Sequence, residues 1–235
     1  MEESKIRETL ALNYDFYKKH GEEFSKTRQS PWNGWNKCLE TINTHTEKEQ
    51  LSVLDIACGN GRFYKFLTDN SNHIINYLGI DNNDFMMVEA VLKYELAEFK
   101  NIDVLFDLNM IENKYDLVVA FGLTHHIPGK EFRLKWFESL PKLLNTNGIL
   151  LLTFWNLSED ERFKKAEEAN DLEENDYYYG WDDSEDRRYV HIYPHEELEN
   201  IKDILNKQNI KLIDEYYSDG KTGNLNKYLI FQLCP

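Results

Sequence analysis

A chain of 235 residues is long enough for one sizeable core and too short for two full catalytic domains. Acidic residues outnumber basic ones 42 to 27, a net charge of −15, which opposes the broad basic face that a nucleic-acid backbone attracts. No run approaches the roughly 20 apolar residues of a membrane span, no apolar leader opens the chain, and three scattered cysteines have no metal spacing, so the expected setting is cytoplasmic with reduced thiols.

Taken in chain order, residues 3–20 carry Ile6, Leu10, Tyr14 and Tyr17 three or four apart, which predicts an amphipathic helix closed by Gly21. A loop over 24–32 and a second helix over 33–46 complete an N-terminal helical cap, residues 1–48. Strands are then predicted at 52–57, 77–80, 103–106, 115–120 and 149–154, with helices at 61–69, 84–98 and 130–144 between them. Runs such as Leu117-Val-Val-Ala and Ile149-Leu-Leu-Leu lack polar alternation, as strands buried on both faces do. Residues 157–190 break the pattern and read as an acidic, aromatic insertion on the substrate side, centred on Tyr177-Tyr-Tyr-Gly-Trp181. A helix at 195–207 and strands at 211–217 and 227–233 follow. The last two strands are joined by the turn-rich run 218–224, so the final strand should run antiparallel. The expected fold is a doubly wound α/β domain spanning 1–235, with a seven-stranded, mostly parallel sheet and a small insertion after the fifth strand.

The sharpest segment is Val53-Leu-Asp-Ile-Ala-Cys-Gly-Asn-Gly-Arg62, a strand that ends in a glycine turn and opens a helix. Gly59 and Gly61 let backbone bend and approach a ligand closely, and the helix start offers free N–H groups. Asp81 closes the next strand, where a carboxylate can accept both hydroxyls of a ribose. A dinucleotide loop would need a third glycine at position 64, which is tyrosine. Asp55 ahead of the glycines suits a ligand with a positive amino or sulfonium group better than a pyrophosphate. Cys58 reads as a small buried residue.

The string Leu54-Asp-Ile-Ala-Cys-Gly-Asn-Gly resembles motif I of the class I S-adenosylmethionine-dependent methyltransferases, and Leu78-Gly-Ile-Asp81 their ribose motif. Phe106-Asp107 is similar to the acid that meets the adenine amino group, and Tyr115-Asp-Leu-Val-Val-Ala to motif IV. The resemblance implies S-adenosyl-L-methionine as cofactor, held by Asp55, Ala57, Gly59, Gly61, Asp81, Asn82, Asp107 and Phe121. No metal site is implied.

Three further runs are similar to the methyltransferases that esterify 5-carboxymethyluridine at the tRNA wobble position. They are Asn13-Tyr-Asp with Phe24-Ser-Lys-Thr-Arg-Gln-Ser-Pro-Trp32, the pair His125-His126, and Arg187-Arg-Tyr-Val-His191. This resemblance implies a substrate site of Arg28, His126 and Arg188, with tRNA as substrate and a small zinc-binding activator as partner. A carboxylate is already nucleophilic at neutral pH, so such a site must position it rather than deprotonate it, and arginines do that bidentately. His126 would be the functional histidine and His125 a packing residue. Two alternatives stay open: a small-molecule carboxylate or hydroxyl as acceptor, which the net charge favours, and a non-catalytic scaffold, which the intact acid and glycine set opposes.

Overall fold

The computed structural model describes residues 1–157, 166–180 and 185–235. Two helices lead, α1 (Glu3–Lys26) and α2 (Gly34–His45). The chain then alternates through β1 (Gln50–Ile56), α3 (Arg62–Asn70), β2 (Ile74–Asp81), α4 (Asp84–Lys93), β3 (Glu98–Asn101), β4 (Tyr115–Ala120), α5 (Lys130–Ser139) and β5 (Leu144–Trp155). Three short strands follow, β6 (Glu167–Glu168), β7 (Asp176–Gly180) and β8 (Arg187–His191). The chain closes with α6 (His195–Asn206), β9 (Ile210–Ser218) and β10 (Asn226–Leu233).

The main sheet has the order β3-β2-β1-β4-β5-β10-β9, and β10 runs antiparallel to both of its neighbours. Successive residues of each central strand point to opposite faces, so one stretch of sequence feeds two cores. Leu54, Ile56, Val118, Leu150 and Leu152 pack with Phe137 of α5 and Ile201 and Leu205 of α6. Val53, Leu117, Val119 and Leu151 pack with Trp35 and Leu39 of α2 and Phe63 and Leu67 of α3. This two-sided burial explains the unbroken apolar runs of β4 and β5. Among the described residues no helix is long and apolar enough to cross a membrane.

Several boundaries differ from the expectations. Helix α1 runs through Gly21 rather than ending there. A side chain at position 21 would crowd the Asn83 amide at 3.3 Å, so this glycine serves close packing. The third strand lies at 98–101 and not at 103–106, where the Asp103 carboxylate accepts the N–H groups of Leu105 and Phe106 and folds a turn. Helix α4 accordingly stops at Lys93. The region after Trp155 is more ordered than its lack of periodicity suggested: β6, β7 and β8 form an antiparallel sheet of their own. Tyr177, Tyr178, Tyr179 and Gly180 lie on β7, while Trp181 falls outside the described residues. Helix α1 packs against β8 and α4, so the N-terminal helix and the small sheet cover the carboxyl ends of the parallel strands together.

Candidate functional site

The strand order reverses at β1, between β2 and β4, and a crevice opens there beyond the strand ends. It is a cleft of about 1360 Å³ lined by the loops after β1, β2 and β4, by α1, by β8 and by the β9–β10 turn.

One end is built from the loops after β1 and β2. Ala57 and Gly59 both have positive φ, 62° and 55°, which turns the chain sharply out of β1. Asp81 receives two backbone hydrogen bonds, from Gly59 N at 2.9 Å and Asn83 N at 2.8 Å, so its carboxylate is fixed in direction. Burial raises its pKa. Asp55 is 2% exposed and accepts the Tyr77 hydroxyl. Burial pushes its carboxyl up to about 7, against the hydrogen bond from Tyr77. Asn82, Asp107 and Phe121 line the same cleft. Gly61 does not: it caps α3 from the position before Arg62 with φ 74°, and a Cβ there would stand 3.0 Å from the Tyr94 and Phe99 rings.

Two residues that the motifs passed over tie α1 to these loops. Asn60 donates to Ser25 Oγ at 2.9 Å and to the Arg28 carbonyl at 3.2 Å. Asn83 caps α4 through Met86 N and donates to the Tyr17 carbonyl at 2.9 Å. Arg28 is thereby held at the rim of the cleft, its guanidinium 4.3 Å from the Phe24 ring centre.

Arg188 is 3% exposed on β8, with its guanidinium 4.7 Å from the Phe16 ring centre and 5.0 Å from that of Tyr179. His126 sits nearby on the short 3-10 turn Thr124–His126. Its Nδ1 lies 2.9 Å from the Tyr189 carbonyl, which can only accept, so Nδ1 carries the proton. Nε2 therefore accepts the Tyr17 hydroxyl at 2.8 Å. Burial, helped by the Arg188 charge, lowers its pKa to about 3, so the ring is neutral. With both ring nitrogens engaged, His126 fixes the Tyr17 hydroxyl at the cleft wall and has no nitrogen lone pair or N–H left over.

His125 is arranged the other way. Its ring lies flat on Trp155, centres 3.6 Å apart at 14°, and it is 1% exposed. Neither ring nitrogen has a hydrogen-bond partner among the described residues, yet the side chain lines the cleft. Burial drives its pKa well below the ordinary histidine value. Of the two histidines, the one read as packing carries the uncommitted nitrogens. No sequence signal separated them, because the difference lies in which carbonyl each ring meets.

Residues 54–150 match the family model described as a methyltransferase domain. A protein of Encephalitozoon cuniculi (strain GB-M1) named as a candidate methyltransferase is 28% identical over 200 residues, covering 85% of this chain and 87% of that one. "Probable tRNA methyltransferase 9B" of Mus musculus is 24% identical over 126 residues, 52% of this chain and 26% of the mouse protein, so the match spans about a quarter of that relative. Among solved structures, an S-adenosylmethionine-dependent methyltransferase from Clostridium acetobutylicum superposes with a TM-score of 0.66 at 17% identity, covering 93% of this chain and 99% of that one. At that identity the likeness is one of fold.

Proposed function

With a methyltransferase domain over 54–150 on this sheet, the chain is an S-adenosylmethionine-dependent methyltransferase of the class I fold, and on that premise we propose that it methylates the carboxylate of 5-carboxymethyluridine at the tRNA wobble position. The observation that carries this reading is the gathering of Arg28, Arg188, Tyr17 and both histidines, distant in sequence, around one cleft.

The residues under β1 and β2 fit the cofactor. Asp81 keeps its direction through two backbone N–H groups and has lone pairs left for ribose hydroxyls. Gly59 leaves the backbone open to close approach. Asp55 lines the cleft, and we assign it to the positive group of the ligand. We assign Asp107 to the adenine amino group, and Ala57, Asn82 and Phe121 to the walls around the ligand.

When bound, the cofactor supplies an electrophilic methyl group on sulfur, which a carboxylate oxygen takes as the carbon–sulfur bond breaks. Opposite charges vanish in that step and no proton moves, so the site needs no general base. Arg28 and Arg188 hold the carboxylate in line, their guanidinium N–H groups donating to its oxygens, while Tyr17, whose hydroxyl proton goes to His126, forms the wall beside it. The Phe16, Trp155 and Tyr179 rings exclude water, which favours a reaction that consumes charge.

Ionised Asp55 is the form that attracts a cation. A carboxyl near 7 is largely protonated at pH 6, so cofactor affinity should fall as pH drops below about 7. Binding at pH 6.5 should release a fraction of a proton, visible as calorimetric heats that differ between buffers of different ionisation enthalpy. The Asp55→Asn variant should lose both effects; an unchanged pH slope in that variant would assign the titration elsewhere.

The surface of α4 carries an apolar face. Phe85, Val88 and Leu92 make an exposed apolar stripe along α4, Leu92 being 77% exposed, with Leu96 at 90% just beyond. It adjoins β3, whose outer edge meets no strand among the described residues. We propose this face as the seat of the small zinc-binding activator that the family resemblance implies.

One observation favours a small-molecule carboxylate instead. Lys19 and Lys26, near the cleft mouth, already pair with Asp186 and Glu22, which leaves little basic surface for an RNA backbone. The deciding assay supplies labelled cofactor and tRNA lacking the wobble ester, alone and with cell extract. Label recovered in 5-methoxycarbonylmethyluridine is the expected result. Cofactor binding without any labelled nucleoside, in both conditions, would transfer the proposal to the small-molecule acceptor.

A further inference from the structure

The end of the cleft where β9 turns into β10 holds a polar pair that the methyl-transfer step does not use. Asp219, in the turn, has φ 68° and is buried. Its Oδ1 accepts the N–H of Gly34 at the start of α2, at 3.0 Å. Its Oδ2 accepts the Asn226 amide at 2.8 Å and the Tyr228 hydroxyl at 2.6 Å. Gly34 is required by this junction, since a Cβ there would stand 2.4 Å from the Tyr228 ring.

A carboxylate only accepts, so Asp219 fixes which way the Asn226 amide points: the nitrogen faces Asp219 and Oδ1 faces away. Asn226 is 1% exposed, and that oxygen has no partner among the described residues. Trp35, beside Gly34, is 2% exposed, and its indole Nε1 also lacks a partner among the described residues. Both side chains line the cleft. A buried acceptor and a buried donor left unmade cost free energy that an unused core position would not retain. Together they complement a group that carries an N–H beside a carbonyl. Their surroundings suit a flat ring. Phe121 packs between Trp35 and Tyr228, ring centres 5.7 and 6.0 Å away, and the Trp32 ring centre lies 6.2 Å from that of Phe121.

We propose that Asn226 and Trp35 are specificity residues for the methyl acceptor, reading a cyclic imide through its N–H at Asn226 Oδ1 and its neighbouring carbonyl at Trp35 Nε1. This rests on the uridine reading above and deepens it, because the uracil ring carries such an edge while a plain carboxylic acid does not. Asp219 acts as the positioning residue that holds the Asn226 amide in the accepting orientation.

The test compares two anticodon stem-loops, one with 5-carboxymethyluridine and one with the same base methylated at N3, as substrates of the wild-type chain and of Asn226→Ala. The wild type is expected to prefer the N3–H substrate by on the order of 10⁴-fold in kcat/KM, the scale on which a site built around a hydrogen bond rejects an analogue lacking it. Asn226→Ala should bring the preference down to about 10-fold, the scale on which one added carbon is discriminated by shape, while cofactor affinity by calorimetry stays unchanged. Equal use of both substrates by the wild type would overturn the imide assignment and leave the carboxylate reading standing. Transfer to neither stem-loop, with extract added and cofactor bound, would overturn the uridine reading and this assignment with it.

Discussion

Asp81→Ala is expected to weaken S-adenosylmethionine binding by about 3 kcal/mol, roughly 100-fold in Kd, the upper end for charge-assisted hydrogen bonds. The effect is large because Asp81 has two roles. Its carboxylate is the group we assign to the ligand's ribose, and it also anchors Gly59 N and Asn83 N, the turning points of both loops that shape the cleft. Removing it frees those loops as well as deleting two acceptors. Asn83 in turn holds the Tyr17 carbonyl, so α1 should loosen over the cleft in the same variant. Titration calorimetry reads the affinity, and a Kd within threefold of wild type would remove Asp81 from the cofactor site.

Arg133→Met should destabilise the fold by about 3–5 kcal/mol, the range for breaking a buried ion pair from one side. Arg133 is 1% exposed on α5 and donates to Glu197 Oε1 at 3.0 Å and to the Ile127 carbonyl at 3.1 Å. His191 lies between Asp176 at 2.7 Å and Glu197 at 2.9 Å, and Tyr189 donates to Asp176 at 2.7 Å. These groups come from α5, β7, β8 and α6, so the cluster fastens the small sheet to the main one. Methionine would fill most of the volume and leave two carboxylates buried without their cation. Denaturant unfolding with an unchanged m-value measures the loss; a change under about 1 kcal/mol would show the cluster to be dispensable for stability. Turnover should fall too, because β8 carries Arg188 into the cleft.

The same cluster has a pH signature. Burial alone would raise the Glu197 carboxyl, but the His191 hydrogen bond and the Arg133 charge bring it down to about 2 from an ordinary 4.5. A carboxyl lowered in the folded state contributes stability that is complete above its unfolded value. That contribution disappears as pH falls from about 4.5 toward 2. Acid should therefore loosen the small sheet before the main sheet, whose two cores are almost wholly apolar.

The main sheet was legible in the sequence because its signals are local. Buried parallel strands demand unbroken apolar runs, and the runs at β1, β4 and β5 are unmistakable in one dimension. The loop after β1 was legible too, since only a glycine-rich turn passes from a buried strand into a helix there and leaves backbone exposed to a ligand. The short third strand was misplaced because Glu98-Phe-Lys-Asn101 has the composition of a surface loop. What makes it a strand is its pairing to β2, which no neighbouring residue encodes.

By itself, the sequence determined the doubly wound sheet and the antiparallel final strand, which follow from periodicity and spacing, and it marked the glycine turn after β1. Only the tertiary structure decided how the acceptor side is built. It engaged both nitrogens of His126 while leaving those of His125 uncommitted, and it turned residues 166–180 and 185–191 into a sheet anchored by buried charge. It also brought Asn226 and Trp35, 191 positions apart, to one end of the cleft. The reason is that a hydrogen bond's worth depends on burial and on which partner is near. Both are properties of packing between distant segments, and neither leaves a periodic trace along the chain.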